Sequence, residues 1–216
     1  MIRLENVTFG YQGDHPDSLV FSGLNLKIGK GLWVALTGGS GSGKSTLLKL
    51  IKGFIDPISG GILINGKARQ RNTFAPEVAY VGPNPENQII GSVVEDEVLF
   101  GLQFVSGDEM RAGLDVDILL RELGLLPLKY YFTPRLSGGE QQRLLIASHL
   151  ALKPSVIMLD NSLAMVDAEG KGKCLQLLKM FQTSFDVTII LVDHQPDVIS
   201  WADRVIHLNN GRVLFS

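Results

Sequence analysis

Three short runs in this sequence have residue types and spacings suited to holding phosphate or the Mg2+ that accompanies it. The first is Gly38-Gly39-Ser40-Gly41-Ser42-Gly43-Lys44-Ser45, which lies between an apolar run, LWVALT, and TLLKLIKGF, whose apolar residues recur at helical spacing. It fits the pattern G-x4-G-K-[ST]. Gly38, Gly41 and Gly43 let backbone N–H groups curve around a phosphate, and a following helix N-terminus adds partial positive charge. In such a loop Lys44 reaches β- and γ-phosphates and the Ser45 hydroxyl ligates Mg2+, with Ser40, Ser42 and Thr46 completing the polar lining. The second run is SVIMLD, an apolar stretch that ends in Asp160. A carboxylate at the end of a buried strand can hold Mg2+ through water. The third is Leu136-Ser137-Gly138-Gly139-Glu140, directly before QQRLLIASHLAL. There Ser137 and the amides of Gly138 and Gly139 form a second anion site at a helix N-terminus. The competing readings are a plain glycine turn, a chance aspartate after an apolar strand, and an ordinary helix cap.

The scaffold that must place these runs reads as one globular unit. A length of 216 residues suits one domain, or one core with a small lobe. Hydrophobic residues make up 45% and charged residues 19%, which excludes a disordered chain. A net charge of -2 gives no polyanion-binding surface, so no nucleic-acid partner is expected. Cys174 is the single cysteine, which excludes an internal disulfide and fits a reducing compartment. The opening, MIRLENVTFGY, carries no signal-peptide pattern, and no apolar run approaches the ~18 residues that cross a bilayer. Service to a membrane therefore requires a partner.

IRLENVTFGY alternates as a strand, and LVFSGLNLKI follows the turn-rich QGDHPDS. ISGGILINGK reads as a hairpin turning at Asn65-Gly66, and ADRVIHLNNGRVLF as another turning at Asn210-Gly211. EVAYVG and DVTIILVDH are buried strands, and EGKGKCLQLLKMFQ is an amphipathic helix. The stretch from about 84 to 145 reads as mostly helical. Apolar strands alternating with helices indicate a parallel sheet covered on both faces, with a β-rich early piece and a helical middle piece as lobes.

LSGGE followed by QQR resembles the signature of ABC ATPase subunits, and with the other two runs the resemblance covers almost the whole chain. It implies an α/β P-loop NTPase fold over 1–216, with a RecA-like parallel core, an N-terminal antiparallel β lobe and a helical lobe at about 84–145. It also implies ATP and Mg2+ as ligands. In that family the signature of one subunit closes on the nucleotide held by the other subunit's phosphate loop. Tyr11 stands where the family stacks an aromatic on adenine, the alternative being a core tyrosine of the β lobe. Asp167 stands where the family has a dimer-contact aspartate, the alternative being a helix cap. His194 stands where the family has a histidine that senses the γ-phosphate. His15, His149 and His207 match no motif, and Trp33 and Trp201 read as packing residues. Asn84-Pro85-Glu86-Asn87-Gln88 with SVVEDEVLFGL resembles the ATPases of energy-coupling-factor and cobalt/nickel importers, which take up vitamins and metal ions. Members of that group often carry a longer tail after the final hairpin, where this sequence ends at Ser216. The resemblance implies a second ATPase subunit, a transmembrane subunit and a peripheral place on the cytoplasmic face of the membrane. Glu95, Asp96 and Glu97 fall near the docking surface expected for that transmembrane subunit, the alternative being a solvated helix face.

Two positions depart from the family. Asn161 stands where a glutamate polarises the attacking water, so the catalytic set becomes Asp160, Asn161 and His194. An amide can orient water but has almost no proton affinity. Pro83 stands where a glutamine contacts Mg2+ and links the site to the helical lobe; proline offers no donor there. Asn84 is the nearby amide. Both departures point to a slow site in this chain, paired with an active site in a different subunit that borrows Ser137 and Gly139, the alternative being a homodimer with a modified but working site. An engineered Asn161 that traps ATP would leave Pro83 unexplained. The rival classes are a non-hydrolysing regulatory ATP clamp, a soluble ABC protein of translation or DNA repair, and a P-loop kinase.

Overall fold

The computed structural model describes residues 1–11, 19–103 and 115–215. The QGDHPDS turn with His15, and the middle of the helical stretch at 104–114, lie outside the described residues.

An antiparallel sheet is built from β1 (Ile2–Phe9), β2 (Phe21–Ile28), β4 (Ser59–Ile64) and the two-residue β5 (Lys67–Ala68), in the order β2-β1-β4-β5. Strand alternation sends Ile2 and Leu4 inward, then Val7 and Phe9. The count shifts by one between them, where the pairing register shifts and Asn6 takes a φ of 51°. The inserted residue keeps both halves of the strand facing the core. Asn65 and Gly66 both have positive φ, as the tight β4–β5 turn requires.

The second sheet contains β3 (Trp33–Thr37), β6 (Val78–Val81), β7 (Val156–Asp160), β8 (Thr188–Val192), β9 (Arg204–Asn209) and β10 (Arg212–Phe215). Its order is β10-β9-β3-β8-β7-β6, parallel throughout except for the β9–β10 hairpin. Every residue of β7 and β8 is buried, which is why these strands read as continuous apolar runs. Their side chains alternate between two cores. Val156, Met158, Ile190 and Val192 join the core closed by α1 (Lys44–Lys52) and the antiparallel sheet. Ile157, Leu159, Ile189 and Leu191 join the core closed by α2 (Val94–Gln103), α3 (Val116–Glu122), α4 (Gly138–Ala151) and α5 (Ala168–Phe185). A buried aliphatic side chain contributes about 1.5–3 kcal/mol. Truncating Met158, which is packed between strands, would cost about 2–5 kcal/mol. Trp33 is fully buried and packs on Trp201 at 6.1 Å.

The described part of the middle stretch, 84–103 and 115–145, alternates helices with turns. Three short 3-10 turns, Pro85–Asn87, Leu126–Leu128 and Thr133–Arg135, separate its helices, and each has proline in its first two positions. Proline suits a first turn but cannot supply the N–H that a helix interior needs.

The parallel register brings the C-terminal strand ends to one edge. Leu36 pairs with Val192, Asp160 with Val192, and Val81 with Leu159. The residues that follow each strand, 38–43, 161, 193–194 and 82–83, therefore emerge together. This is the edge at which open α/β sheets bind ligands.

Candidate functional site

The phosphate loop runs from the end of β3 into α1. Gly38 and Gly43 have φ of 140° and 101°, and a Cβ at either would meet the Leu208 carbonyl oxygen at 2.2 Å or the Phe21 ring at 2.8 Å. Lys44 folds back across the loop. Its Nζ donates to the carbonyls of Gly38 at 2.8 Å and Gly39 at 2.7 Å, and to Ser42 Oγ at 3.2 Å. Ser40 and Gly41 form the outer part of the loop, and Gly41 has a positive φ. No side chain caps the first turn of α1 and no acidic residue lies in it, so the N-terminus keeps its positive field. Tyr11 packs edge-on to Phe9 at 5.0 Å and its hydroxyl lies 3.1 Å from Thr46 Oγ1. Tyr11 is 43% exposed, so it is not a buried core tyrosine. It stands beside the first turn of α1.

Asp160 ends β7 on the α1 side of the sheet and is buried. The Ser45 hydroxyl donates to its Oδ1 at 3.0 Å, and the Tyr80 hydroxyl to its Oδ2 at 2.9 Å. Burial, and after it the Asp160 charge and hydrogen bond, push the Tyr80 hydroxyl well above its ordinary pKa, so Tyr80 remains a donor. Asn161 is exposed, with φ 53°, and its N–H donates to the Val192 carbonyl at 3.2 Å. Asparagine is among the few residues that accept this left-handed backbone readily. His194 is exposed at the end of β8. The Asp193 Oδ1 before it accepts the N–H groups of His194 at 2.7 Å and Gln195 at 2.8 Å, which fixes the turn.

Ser137 caps α4 in a reciprocal box with Glu140. Its backbone N–H and its hydroxyl each donate to Glu140 Oε2 at 2.7 Å, and its Oγ accepts the Glu140 N–H at 3.3 Å. Gly138 and Gly139 press against the turn before α5: a Cβ on Gly139 would meet the Met165 carbonyl oxygen at 2.8 Å. Ser137 to Glu140, Arg143 and Met165 to Asp167 line a cavity of about 310 Å³. Asp167 caps α5, its Oδ1 accepting the Gly170 N–H at 2.6 Å. The structure thus gives Asp167 the capping role and also places it beside the Ser137 turn. α1 packs in one core of the sheet and α4 in the other, so the two candidate phosphate-binding elements start from helices on opposite faces.

The protein family described as "ABC transporter" matches residues 21–164. The energy-coupling factor transporter ATP-binding protein EcfA1 of Listeria monocytogenes is 36% identical over 98% of this chain and 76% of its own length. The same-named protein of Streptococcus sanguinis is 33% identical over 99% of this chain and 77% of its own length.

The chain belongs to the ABC transporter family.

It is an ABC-type ATPase, an ATP-binding subunit of the energy-coupling-factor kind. Among solved structures, cbiO1 from Clostridium perfringens, part of the ABC transporter complex cbiONQ, superimposes with a TM-score of 0.81 at 29% identity over 99% of this chain and 86% of that one. The cassette MJ0796, in a dimeric post-hydrolysis state bound to ADP and Pi, does so with a TM-score of 0.82 at 26% identity over 99% and 96%. The fold expected from the sequence, a P-loop NTPase with an antiparallel β lobe, is the ABC ATPase fold.

The oxygens around Asp160 suit Mg2+. Ser45 Oγ and one carboxylate are hard donors on one side of a phosphate loop, and Mg2+ typically takes few protein ligands together with substrate phosphates.

One expectation needs correcting. Glu95, Asp96 and Glu97, expected near a docking surface or on a solvated helix face, do not share one open face. Glu97 is buried, and its Oε2 accepts the N–H groups of Ile90 at 2.8 Å and Gly91 at 2.7 Å. Glu95 pairs with Lys129 at 3.0 Å, and only Asp96 is exposed. Gln88 turns back so that its Oε1 accepts the Gly82 N–H at 3.0 Å, while buried Gln142 donates to the Gly82 carbonyl at 2.9 Å. Gly82 is thereby tied to α4, five residues behind Ser137.

Sequence reasoning missed Gln88, Gln142 and Tyr80. The alternation of β6 gives the one available signal for Tyr80. Val78 and Tyr80 share the face on which Met158 and Asp160 end β7.

Proposed function

We propose that this chain is the ATP-binding subunit of a membrane importer and grips ATP between its own phosphate loop and the Ser137 turn of a facing cassette. Its own loop hydrolyses slowly, while its Ser137 turn completes a faster site in a non-identical partner. The observation that carries this reading is the placement of the two phosphate-binding elements on opposite faces of one sheet, so that each supplies half of a grip. The dimeric state of MJ0796 with ADP and Pi supports the pairing. The membership of cbiO1 in the cbiONQ complex, and the energy-coupling-factor relatives, support a transmembrane partner and a small cargo such as a vitamin or metal ion. They also support transport over translation or DNA repair. Among the described residues no helix is long and apolar enough to cross a membrane, and the proposed location is peripheral, at the cytoplasmic face.

In this reading Lys44 and the loop amides hold the phosphates, and Tyr11 supports the adenine. Ser45 and Asp160 hold Mg2+, which offsets phosphate charge when bound. His194 contacts the γ-phosphate, and Asp167 meets the facing subunit. The Asn161 carboxamide orients a water at the γ-phosphate but accepts no proton from it. Losing a general base costs about 10²–10⁴ in rate, or roughly 3–5 kcal/mol.

The test is steady-state ATP turnover of the purified chain with its co-purified cassette, comparing wild type with Asn161→Glu. The variant is expected to raise turnover at this chain's loop by about 10²-fold or more. Equal rates overturn the slow-site reading. Asn161 also favours a second reading, a clamp that binds ATP without hydrolysing it; single-turnover kinetics with no phosphate release over hours would select it.

A further inference from the structure

Building on the ATPase reading, we propose that Tyr80 is a positioning residue of the nucleotide site: its hydroxyl fixes the Asp160 carboxylate for Mg2+, and its ring ties that carboxylate to an aromatic run open at the surface.

Asp160 is held from two elements. The Ser45 hydroxyl on α1 takes Oδ1 at 3.0 Å, and the Tyr80 hydroxyl on β6 takes Oδ2 at 2.9 Å. The carboxylate is only 3% exposed, so water cannot readily replace either partner. With both oxygens engaged, the carboxylate cannot turn about its terminal torsion. The Ser45 lone pairs are held in one direction because the Ser45 proton is committed to Oδ1. Removing the Tyr80 hydroxyl frees Oδ2 and lets the group rotate. Partners of this kind, which orient a metal-holding carboxylate, typically matter about 10–100-fold in metal affinity.

The Tyr80 ring has a second role. It meets Phe54 edge-on at 5.2 Å, and Phe54 meets Phe74 edge-on at 5.6 Å. Phe54 and Phe74 are 45% and 65% exposed. Tyr80 and Phe54, with Lys52, Ile90 and His149, line a cavity of about 890 Å³. A contiguous series of rings and hydrogen bonds therefore runs from Phe74 at the surface through Phe54 and Tyr80 to Asp160 and Ser45. Pro83, three residues after Tyr80, carries no side-chain donor or acceptor that could make this link.

The test uses the full chain, a fluorescent ATP analogue and a Mg2+ titration that starts in EDTA. Tyr80→Phe keeps the ring and removes only the hydroxyl. It is expected to leave analogue binding in EDTA within about twofold and to raise the Mg2+ midpoint about tenfold. Phe54→Ala is expected to move the midpoint in the same direction, with the double variant no worse than Tyr80→Phe alone, because the two act in series. An unmoved midpoint in Tyr80→Phe overturns the positioning role, as does loss of EDTA binding together with a lower unfolding temperature, which would make Tyr80 a fold-holding residue only. An unmoved midpoint in Phe54→Ala overturns the tie to the surface. Failure of the wild-type chain to bind the analogue in either condition overturns the ATPase reading and this role with it.

Discussion

At the scale of single residues, the site depends on atoms that have no room to change. Gly38 takes a φ of 140°, and a Cβ there would lie 2.2 Å from the Leu208 carbonyl oxygen. Gly38→Ala is expected to abolish ATP binding and to cost about 1–3 kcal/mol in denaturant unfolding. Gly39→Ala, whose Cβ meets nothing within 4 Å, should stay within about 0.5 kcal/mol of wild type. Equal costs for the two would contradict the steric argument. Asn161→Glu carries its own penalty of about 1–2 kcal/mol, because glutamate accepts a φ of 53° less readily than asparagine, so faster turnover should come with lower stability. The phosphate loop was legible in the sequence because its whole grip lies in eight consecutive residues. The Tyr80–Asp160 hydrogen bond was not, since it joins residues 80 apart in sequence and depends on strand register.

At the scale of elements, α4 links the Ser137 turn to the rest of the molecule. Gln142 donates to the Gly82 carbonyl, and His149, in the last turn of the helix, is half-buried with Nδ1 2.8 Å from the Leu145 carbonyl oxygen. Burial holds the His149 pKa below its ordinary value; the Leu145 carbonyl opposes this and the nearby Lys52 charge adds to it. The unfolded chain therefore takes up a proton near pH ~6.5, where the folded chain does not. The resulting stability is full above that pH and is lost as pH falls toward the folded pKa, by at most about 1.4 kcal/mol per pH unit. His149→Gln should flatten the fall of unfolding temperature between about pH 6.5 and 5; an unchanged slope would contradict this. Composition predicted the buried strands well, because both of their faces are covered. Among the described residues between 84 and 145, Pro85, Pro127 and Pro134 each lie in a short 3-10 turn at which the chain redirects. Glu95 to Glu97 read as one charged face, but the α2 helix turns Glu97 inward onto the Ile90 and Gly91 amides.

At the scale of the whole molecule, the parallel sheet separates the phosphate loop from the Ser137 turn, the two halves of the proposed grip. The closing hairpin was legible from Asn210-Gly211, but its place beside β3, which completes the sheet order, comes from long-range pairing that no local pattern states. The same order sets α1 and α4 against opposite cores, so Lys44 and Ser137 face different surroundings. The most direct measurement of the sandwich uses an ATP analogue with a photoreactive group on its γ-phosphate. An isotope-marked Lys44→Ala chain is mixed with a chain, or its partner cassette, whose phosphate loop is intact. The sandwich requires label on the marked Ser137–Glu140 peptide in the mixture and none when the marked chain is irradiated alone. Label confined to the Ser137 peptide of the same molecule that supplies Lys44, with the marked chain left bare, would contradict it.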